Sequence, residues 1–185
     1  MKSGVRALGV AESFREDRST LAGVVCRVDR SVDGFVFGQC TVGGSDATAT
    51  VIEMIERLDR PDVSYLLLAG IAPAWFNVLD LAAIADAADR PAISISFEAS
   101  AGLESALREA FEGDALEWRL ETYRAQPERH AVAVGDETVF VRAVGCPREE
   151  AVQNVRAFTP EGGRPEPLRV ARQAARAVDV FQRHR

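Results

Sequence analysis

Three β-rich segments precede the first predicted helix of this chain, and that order is the strongest constraint on its fold. They cover residues 5–10, 20–28 and 34–42, and the polar residues 29–33 between the last two are typical of a β-hairpin turn. A doubly wound nucleotide-binding sheet would need a glycine-rich turn from its first strand into a helix. The chain contains neither G-x-G-x-x-G nor a phosphate-loop pattern. Its first part therefore predicts three antiparallel strands.

Strands and helices alternate in the rest of the chain. Continuous apolar runs at 63–68 and 92–97 are typical of strands that are covered on both faces. Apolar periodicity and helix-stop signals predict a helix that ends at Arg60-Pro61, helices at 73–88 and 103–111, a small hairpin at 131–134 and 138–143, and terminal helices at 148–157 and 167–182. The segment 117–129 is polar. This order predicts a single α/β domain over residues 1–185 with a ribonuclease H-like mixed sheet, in which three antiparallel strands are followed by βαβ units.

Composition narrows the class of protein. No apolar run reaches the ~20 residues that a membrane span needs, and the three scattered cysteines indicate reduced thiols, so we expect a cytoplasmic protein without membrane contact. The formal net charge of -6 argues against a basic surface covering the whole molecule. Lys2 is the only lysine, so nearly every cation is an arginine, the side chain that binds phosphate in bidentate fashion.

Acidic residues recur at the ends of successive predicted strands. Glu12 ends the first strand, Asp46 follows the third, Asp80 lies in the helix after the fourth, and Glu98 ends the fifth. In a ribonuclease H-like sheet these points can converge on one edge, where carboxylate oxygens suit Mg²⁺ or Mn²⁺. Each residue also has a structural interpretation: Asp46 can cap a helix, Asp80 can stabilise a helix start, and Glu98 can precede a cap at Ser100.

Other side chains are candidates for contact with nucleic acid. Trp75 and Asn77 follow the fourth strand, at the edge where open α/β sheets carry their chemistry, and Trp75 could stack on an unpaired base. Arg15 follows the first strand, and Arg169 lies in the first turn of the last helix, where either could bind a phosphate. The structural alternatives are an ion pair between Arg169 and Glu166 and a solvated Arg15.

Several of these stretches together resemble a mainly archaeal family, endonuclease dU, which was long labelled a domain of unknown function and is related to endonuclease V. The matching residues are 8–14, 33–35, 41–48, 70–71, 75–80, 102–104 and 165–169. The resemblance implies a ribonuclease H-like, metal-dependent endonuclease that acts on DNA containing deaminated bases, deoxyuridine above all, in DNA repair. Glu12, Asp46 and Asp80 would then hold Mg²⁺ or Mn²⁺, with Glu98 assisting.

Two alternatives remain at this point. Endonuclease V carries an acid after the strand that corresponds to 66–68, where this chain has Ala69-Gly70. That difference and the negative net charge favour a non-catalytic module that binds nucleic acid or a protein. A hydrolase acting on a nucleotide is the other alternative. The acidic, lysine-poor composition resembles that of proteins from salt-loving archaea.

Overall fold

A seven-stranded mixed sheet forms the centre of the protein in the computed structural model, which describes residues 4–160 and 162–183. The strand order across the sheet is β3-β2-β1-β4-β5-β7-β6. The strands are β1 (Arg6–Arg15), β2 (Arg18–Arg27), β3 (Val32–Thr41), β4 (Val63–Ala69), β5 (Ala92–Ser96), β6 (His130–Val134) and β7 (Glu137–Val144). The helices are α1 (Ala47–Leu58), α2 (Pro73–Phe76), α3 (Leu81–Ala88), α4 (Glu104–Ala110), α5 (Gly113–Arg124), α6 (Arg148–Phe158) and α7 (Glu166–Arg183).

The pairing follows the predicted order of elements. β1, β2 and β3 are antiparallel neighbours, and β4 then pairs parallel with β1 and with β5. The parallel pairs require crossovers, which α1 and the segment through α3 supply. The small hairpin β6–β7 closes the far edge antiparallel to β5. The prediction of three antiparallel strands followed by βαβ units is confirmed.

Each face of the sheet buries its own layer of apolar side chains. On one face, Leu8, Met54 and Ile84 belong to a core that joins the sheet to α1 and α3. On the other, Leu67, Ile93 and Phe158 belong to a core that joins it to α6 and the start of α7. Because β1, β4 and β5 run parallel, their carboxyl ends lie at the same edge of the sheet. No helix in the described ranges is long and apolar enough to cross a membrane.

The chain after β4 departs from the predicted single helix at 73–88. Helix α3 begins only at Leu81, and α2 is one short turn in which Ala74, Trp75 and Phe76 have positive φ angles of 49°, 53° and 64°. The left-handed conformation costs an L-residue roughly 1–2 kcal/mol, so three in succession require about 3–6 kcal/mol of support from their surroundings. Backbone strain of this kind is concentrated at functional sites, so this turn is a candidate part of a functional site.

Candidate active site

An open cleft of about 460 Å³ lies at the carboxyl ends of β1, β4 and β5, where open α/β sheets place their ligands. Residues in the last part of these strands or directly after them form its floor, and residues near and along α7 form one wall. Glu12 and Glu98 both line the cleft, so two of the four predicted acidic residues reach the same site. The lining also includes Ser13, Ser96, Phe97, Arg164, Arg172 and Arg176.

The Glu12 carboxylate is held by two hydrogen bonds to the same oxygen. Ser19 Oγ donates to Oε2 at 2.6 Å, and the backbone amide of Ala74 donates to Oε2 at 2.7 Å. Ser19 lies on the neighbouring strand β2, whereas Ala74 belongs to the left-handed turn. The carboxylate is therefore fixed in place while its second oxygen, Oε1, has no hydrogen bond within the described part of the chain. A fixed carboxylate with one oxygen unoccupied can accept a ligand.

Contacts from distant segments support the left-handed turn. The amide of Gly43 donates to the Ala74 carbonyl at 2.7 Å, and Arg119 Nε donates to the Phe76 carbonyl at 3.0 Å. Arg119 also donates through Nη2 to the Gly44 carbonyl at 3.0 Å. This arginine is only 3% exposed, and its burial lowers the pKa of the guanidinium. Buried donors of this kind supply the stabilisation that the turn itself lacks.

Trp75 is an exposed aromatic side chain on this turn. Its side chain is 52% exposed, although its ring packs against Phe111 with 5.1 Å between ring centroids. The ring also covers Gly43, where a Cβ atom would lie 2.8 Å from Trp75 Cε3. Trp75 directly follows the residue whose amide binds Glu12. Trp75 is not among the described residues that line the cleft, and its contact with nucleic acid stays a prediction.

Asn77 does not face a ligand, which corrects its prediction as a nucleic-acid contact. Its side chain is fully buried, and Nδ2 donates to the Thr41 carbonyl at 2.9 Å and to Asp46 Oδ1 at 2.6 Å. Its Oδ1 accepts from the amide of Ala47 at 3.0 Å. Asn77 thus joins the end of β3, the start of α1 and the left-handed turn, and its role in this structure is architectural.

Asp46 is also occupied by structural contacts. Its carboxylate accepts from the Thr41 amide at 3.0 Å and from Thr41 Oγ1 at 2.9 Å, in addition to Asn77. Burial opposes ionisation of Asp46, but the hydrogen bonds from Thr41 and Asn77 outweigh it and hold the pKa of the carboxyl below its usual range. Asp46 occupies the position before α1 without capping the helix through its side chain.

Asp80 caps a helix, as its structural interpretation predicted. Its carboxylate accepts a 3.0 Å hydrogen bond from the amide of Ala83 and so caps α3. Within residues 4–160 and 162–183, no group of three or more His, Cys, Asp or Glu side chains is arranged to hold a metal ion. The predicted three-carboxylate set of Glu12, Asp46 and Asp80 is therefore not assembled in this structure, because two of its members stabilise the local backbone.

The two predicted phosphate-binding arginines lie outside the cleft lining. Arg169 forms a bidentate ion pair with Glu166 at 2.6 and 2.7 Å, as the structural alternative predicted, and the pair lowers the pKa of Glu166. Arg15 approaches Asp179 with 3.8 Å between Nε and Oδ2, beside a separate cavity near the β1–β2 turn. Each of these two arginines therefore faces an acidic side chain instead of the cleft, although each was predicted to bind a phosphate.

Three arginines that line the cleft were missed by the sequence analysis. Arg172 and Arg176 are exposed on α7, four residues apart and therefore on one side of the helix. Arg164 lies before α7, with its guanidinium carbon 4.1 Å from the centroid of the Phe97 ring. The spacing of Arg172 and Arg176 on a predicted helix was the available signal, but only the tertiary fold places that side of the helix beside Glu12.

The donors left in the cleft suit a hard divalent cation. Glu12 and Glu98 supply carboxylate oxygens, and Ser13 and Ser96 supply hydroxyls. β4 lies between β1 and β5, so the backbones that carry the two carboxylates are about two strand spacings, or about 10 Å, apart. Mg²⁺ is commonly bound by one or two carboxylates together with waters and substrate phosphates. The donor set therefore fits Mg²⁺ or Mn²⁺ as an ion that takes part of its coordination from the substrate.

Comparison with known proteins identifies the family and the fold of the chain. The family model described as endonuclease dU matches residues 3–179. A UPF0215 protein from Pyrobaculum calidifontis is 33% identical over 94% of this chain and 97% of its own length. Among solved structures, a protein of unknown function from Archaeoglobus fulgidus is similar with a TM-score of 0.84 and 26% identity, covering 94% of this chain and 98% of its own.

A second solved structure extends the comparison beyond these relatives. The endonuclease V of Ciona intestinalis, in complex with a 24mer DNA that contains an inosine followed by a ribo-adenosine, has a TM-score of 0.65 at 14% identity. The match covers 96% of this chain and 87% of that one. At this identity the likeness concerns the fold alone, and it confirms the predicted ribonuclease H-like class. Fold and matched family model together support a nuclease.

Proposed function

We propose, from the premise that the chain belongs to the endonuclease dU family, that it is a metal-dependent endonuclease that nicks DNA at deaminated bases, deoxyuridine first, in DNA repair. The observation that carries the proposal is the position of Glu12. Its carboxylate is fixed by Ser19 and Ala74 and lines the same open cleft as Glu98. A cleft with this acidic floor at the carboxyl ends of parallel strands suits hydrolysis of a phosphodiester.

In this proposal Glu12 and Glu98 hold Mg²⁺ or Mn²⁺. The chemistry that such an ion supplies is the activation of a water molecule and the neutralisation of charge on the phosphodiester. The hydrogen bonds from Ser19 and Ala74 orient the Glu12 carboxylate before the substrate arrives, so little reorganisation is required on binding. Glu98 lies in the exposed bend after β5 and has no hydrogen bond within the described ranges, which leaves its carboxylate available as the second ligand.

Trp75 is our candidate for the contact with the damaged base. A half-exposed indole supported by Phe111 offers a stacking surface, and stacking of an unpaired base on an aromatic ring is worth about 1–3 kcal/mol. A deaminated base in a mismatch is less costly to unstack than a normal base pair. A stacking residue next to the Glu12 anchor would therefore favour cleavage near such a lesion.

The test is nicking of a labelled duplex with one deoxyuridine, in Mg²⁺, Mn²⁺ or EDTA and over a range of KCl concentrations. Undamaged and inosine-containing duplexes serve as substrate controls. We expect nicking at the lesion in either metal and none in EDTA. Glu12→Gln should lose at least 100-fold in rate, whereas Glu56→Gln, the same chemical change at an exposed position of α1, should retain the wild-type rate. Nicking that persists in EDTA or in folded Glu12→Gln would overturn the proposal.

A second candidate follows from the use of Asp46 and Asp80 as structural residues. With two carboxylates among the described residues of the cleft lining, the chain would act as a nucleic-acid-binding module that retains the nuclease fold without cutting. Binding of the lesion-containing duplex without cleavage in any metal, by protein that melts cooperatively, would favour this candidate over the nuclease.

A further inference from the structure

We propose that Arg164, Arg172 and Arg176 form a binding site for the backbone phosphates of a DNA strand along the α7 wall of the cleft. The inference rests on the proposed function in taking DNA as the ligand of the cleft. It goes beyond that function because it assigns a path along α7 to the bound strand and a role to three residues that take no part in the chemistry of Glu12 and Glu98. Its evidence is the geometry and the pairing state of the three guanidinium groups.

Two of the three cations are regularly spaced along a rigid helix. Arg172 and Arg176 are separated by four residues of α7, which corresponds to about 6 Å along the helix axis. Both residues are exposed, and both line the cleft. Successive phosphates of one nucleic-acid strand are separated by a comparable distance. A strand that runs along α7 can therefore present consecutive phosphates to the two side chains.

The two guanidinium groups on α7 are unpaired in the described part of the chain. Arg172 and Arg176 form no hydrogen bond or ion pair with any residue that the structure describes, whereas Arg169, one turn earlier on α7, is held by Glu166. An unpaired guanidinium retains all of its donors for a phosphate and can bind it in bidentate fashion.

Arg164 is the third arginine of the cleft wall, and it lies before α7 rather than on the helix. Its guanidinium lies over the Phe97 ring at 4.1 Å, a cation–π contact that restricts its orientation without using its hydrogen-bond donors. Phe97 immediately precedes Glu98, so this contact places a cation beside one of the two acidic residues. Arg164 is thereby positioned to contact the phosphate nearest to the reaction centre.

The charge balance of the cleft supports an anionic ligand. The chain as a whole has a formal net charge of -6, yet the residues of the cleft lining that the structure describes include three guanidinium groups and two carboxylates. Cations clustered in a concave site of an acidic protein raise the local concentration of anions. A bound phosphate would lie between the arginines on one side of the cleft and Glu12 and Glu98 on the other, and the arginines would attract it.

The test measures binding without cleavage. Fluorescence anisotropy of a labelled undamaged DNA duplex and of the same duplex with one deoxyuridine, both in EDTA, gives the dependence of log affinity on log KCl. We expect each of Arg172→Gln and Arg176→Gln to reduce the slope by about 0.9, which corresponds to one lost phosphate contact, and the double variant by about 1.8. Both duplexes should be weakened by the same factor, because phosphate contacts do not read bases.

Two controls make the result specific. Arg148→Gln removes an exposed arginine of α6 that does not line the cleft, and its slope should equal that of the wild type. The variant with Arg172→Lys and Arg176→Lys keeps the charges and should restore most of the slope. An unchanged slope in the double glutamine variant, or an equal change in Arg148→Gln, would overturn the inference. Wild-type protein that binds with the expected slopes but never nicks would instead overturn the proposed function alone.

Discussion

The backbone amide of Ala74 donates a 2.7 Å hydrogen bond to Oε2 of Glu12, so this carboxylate of β1 is anchored to a left-handed turn. Trp75 is the next residue of that turn and remains half exposed. The acidic residue and the aromatic residue of the candidate site are therefore positioned by one short segment. A change that moves this segment should alter both the carboxylate and the stacking surface.

Gly43 offers a direct way to disturb the turn. Its φ is +68°, and an added Cβ would lie 2.8 Å from Trp75 Cε3. We expect Gly43→Ala to lose about 1–2 kcal/mol of unfolding free energy from the backbone conformation and about 1–3 kcal/mol more from the clash. Urea unfolding measures the loss, and Trp75 fluorescence in a Trp118→Phe background reports displacement of the ring.

Gly135→Ala is the matched control for this change. Gly135 has a φ of +59° but no atom within 4 Å of an added Cβ, so it bears the backbone cost without the clash. Gly43→Ala should therefore be the more destabilised variant and should also nick more slowly. Equal losses of stability in the two variants would show that the contact with Trp75 does not constrain Gly43.

The strands and their order were predictable because their signals are local. Apolar runs such as 63–68 and 92–97 identify buried strands, and the position of Glu98 just after β5 follows from the second run. Glu12 was predicted to end the first strand, but β1 continues to Arg15 because residues 12–15 still pair with β2. Helix α5 was not predicted, since the polar segment 117–129 lacks a clear apolar stripe. Single-domain organisation, a cytoplasmic location and salt adaptation stay predictions.

The left-handed turn was not predictable, because its stability comes from residues far away in the chain. Local preference disfavours positive φ at Ala74, Trp75 and Phe76, and a continuous helix was the natural prediction. The supporting groups come from Gly43 and Arg119, which only the fold brings to the turn. For the same reason the sequence could not distinguish a ligand-binding Asn77 from a buried one.

The Asn77 side chain should contribute strongly to stability. Asn77→Ala removes hydrogen bonds to the Thr41 carbonyl, the Ala47 amide and Asp46 Oδ1. The buried Ala47 amide loses its partner, whereas the Thr41 carbonyl and Asp46 Oδ1 each keep one other hydrogen bond. We expect a loss of about 2–4 kcal/mol in the free energy of unfolding, measured by urea denaturation.

Asn154→Ala provides the comparison, because Asn154 is equally buried while its side-chain nitrogen and oxygen have no hydrogen-bond partner in the described structure. Asn154→Ala should therefore lose clearly less free energy of unfolding than Asn77→Ala, because it removes no hydrogen bond between described residues. If both alanine variants lose the same free energy, the hydrogen bonds of Asn77 are not the source of its contribution.

Trp75 should matter for the damaged base more than for general DNA binding. We expect Trp75→Ala to reduce nicking at deoxyuridine by about 5- to 150-fold, the equivalent of 1–3 kcal/mol of lost stacking. Affinity for an undamaged duplex in EDTA should change much less. Phe35→Ala removes another exposed aromatic ring, on edge strand β3, and should leave both quantities unchanged. A parallel loss in damaged and undamaged DNA would argue against a base contact.

Asp33, near the start of β3, should govern part of the acid sensitivity of the fold. Hydrogen bonds from Arg27 and Arg6, at 2.8 and 2.7 Å, lower the pKa of Asp33 to about 2. Since the pKa in the unfolded chain is about 3.9, the stabilisation from ionised Asp33 is fully present above about pH 4 and is lost as the pH falls toward 2. Urea midpoints of the wild type and of Asp33→Asn, measured from pH 6 downward, should therefore converge over this interval.

Asp136→Asn, at an exposed turn between β6 and β7, is the control, and its urea midpoint should follow that of the wild type at every pH. A difference between wild type and Asp33→Asn that stays constant with pH would show that the arginine contacts do not depend on the charge of Asp33.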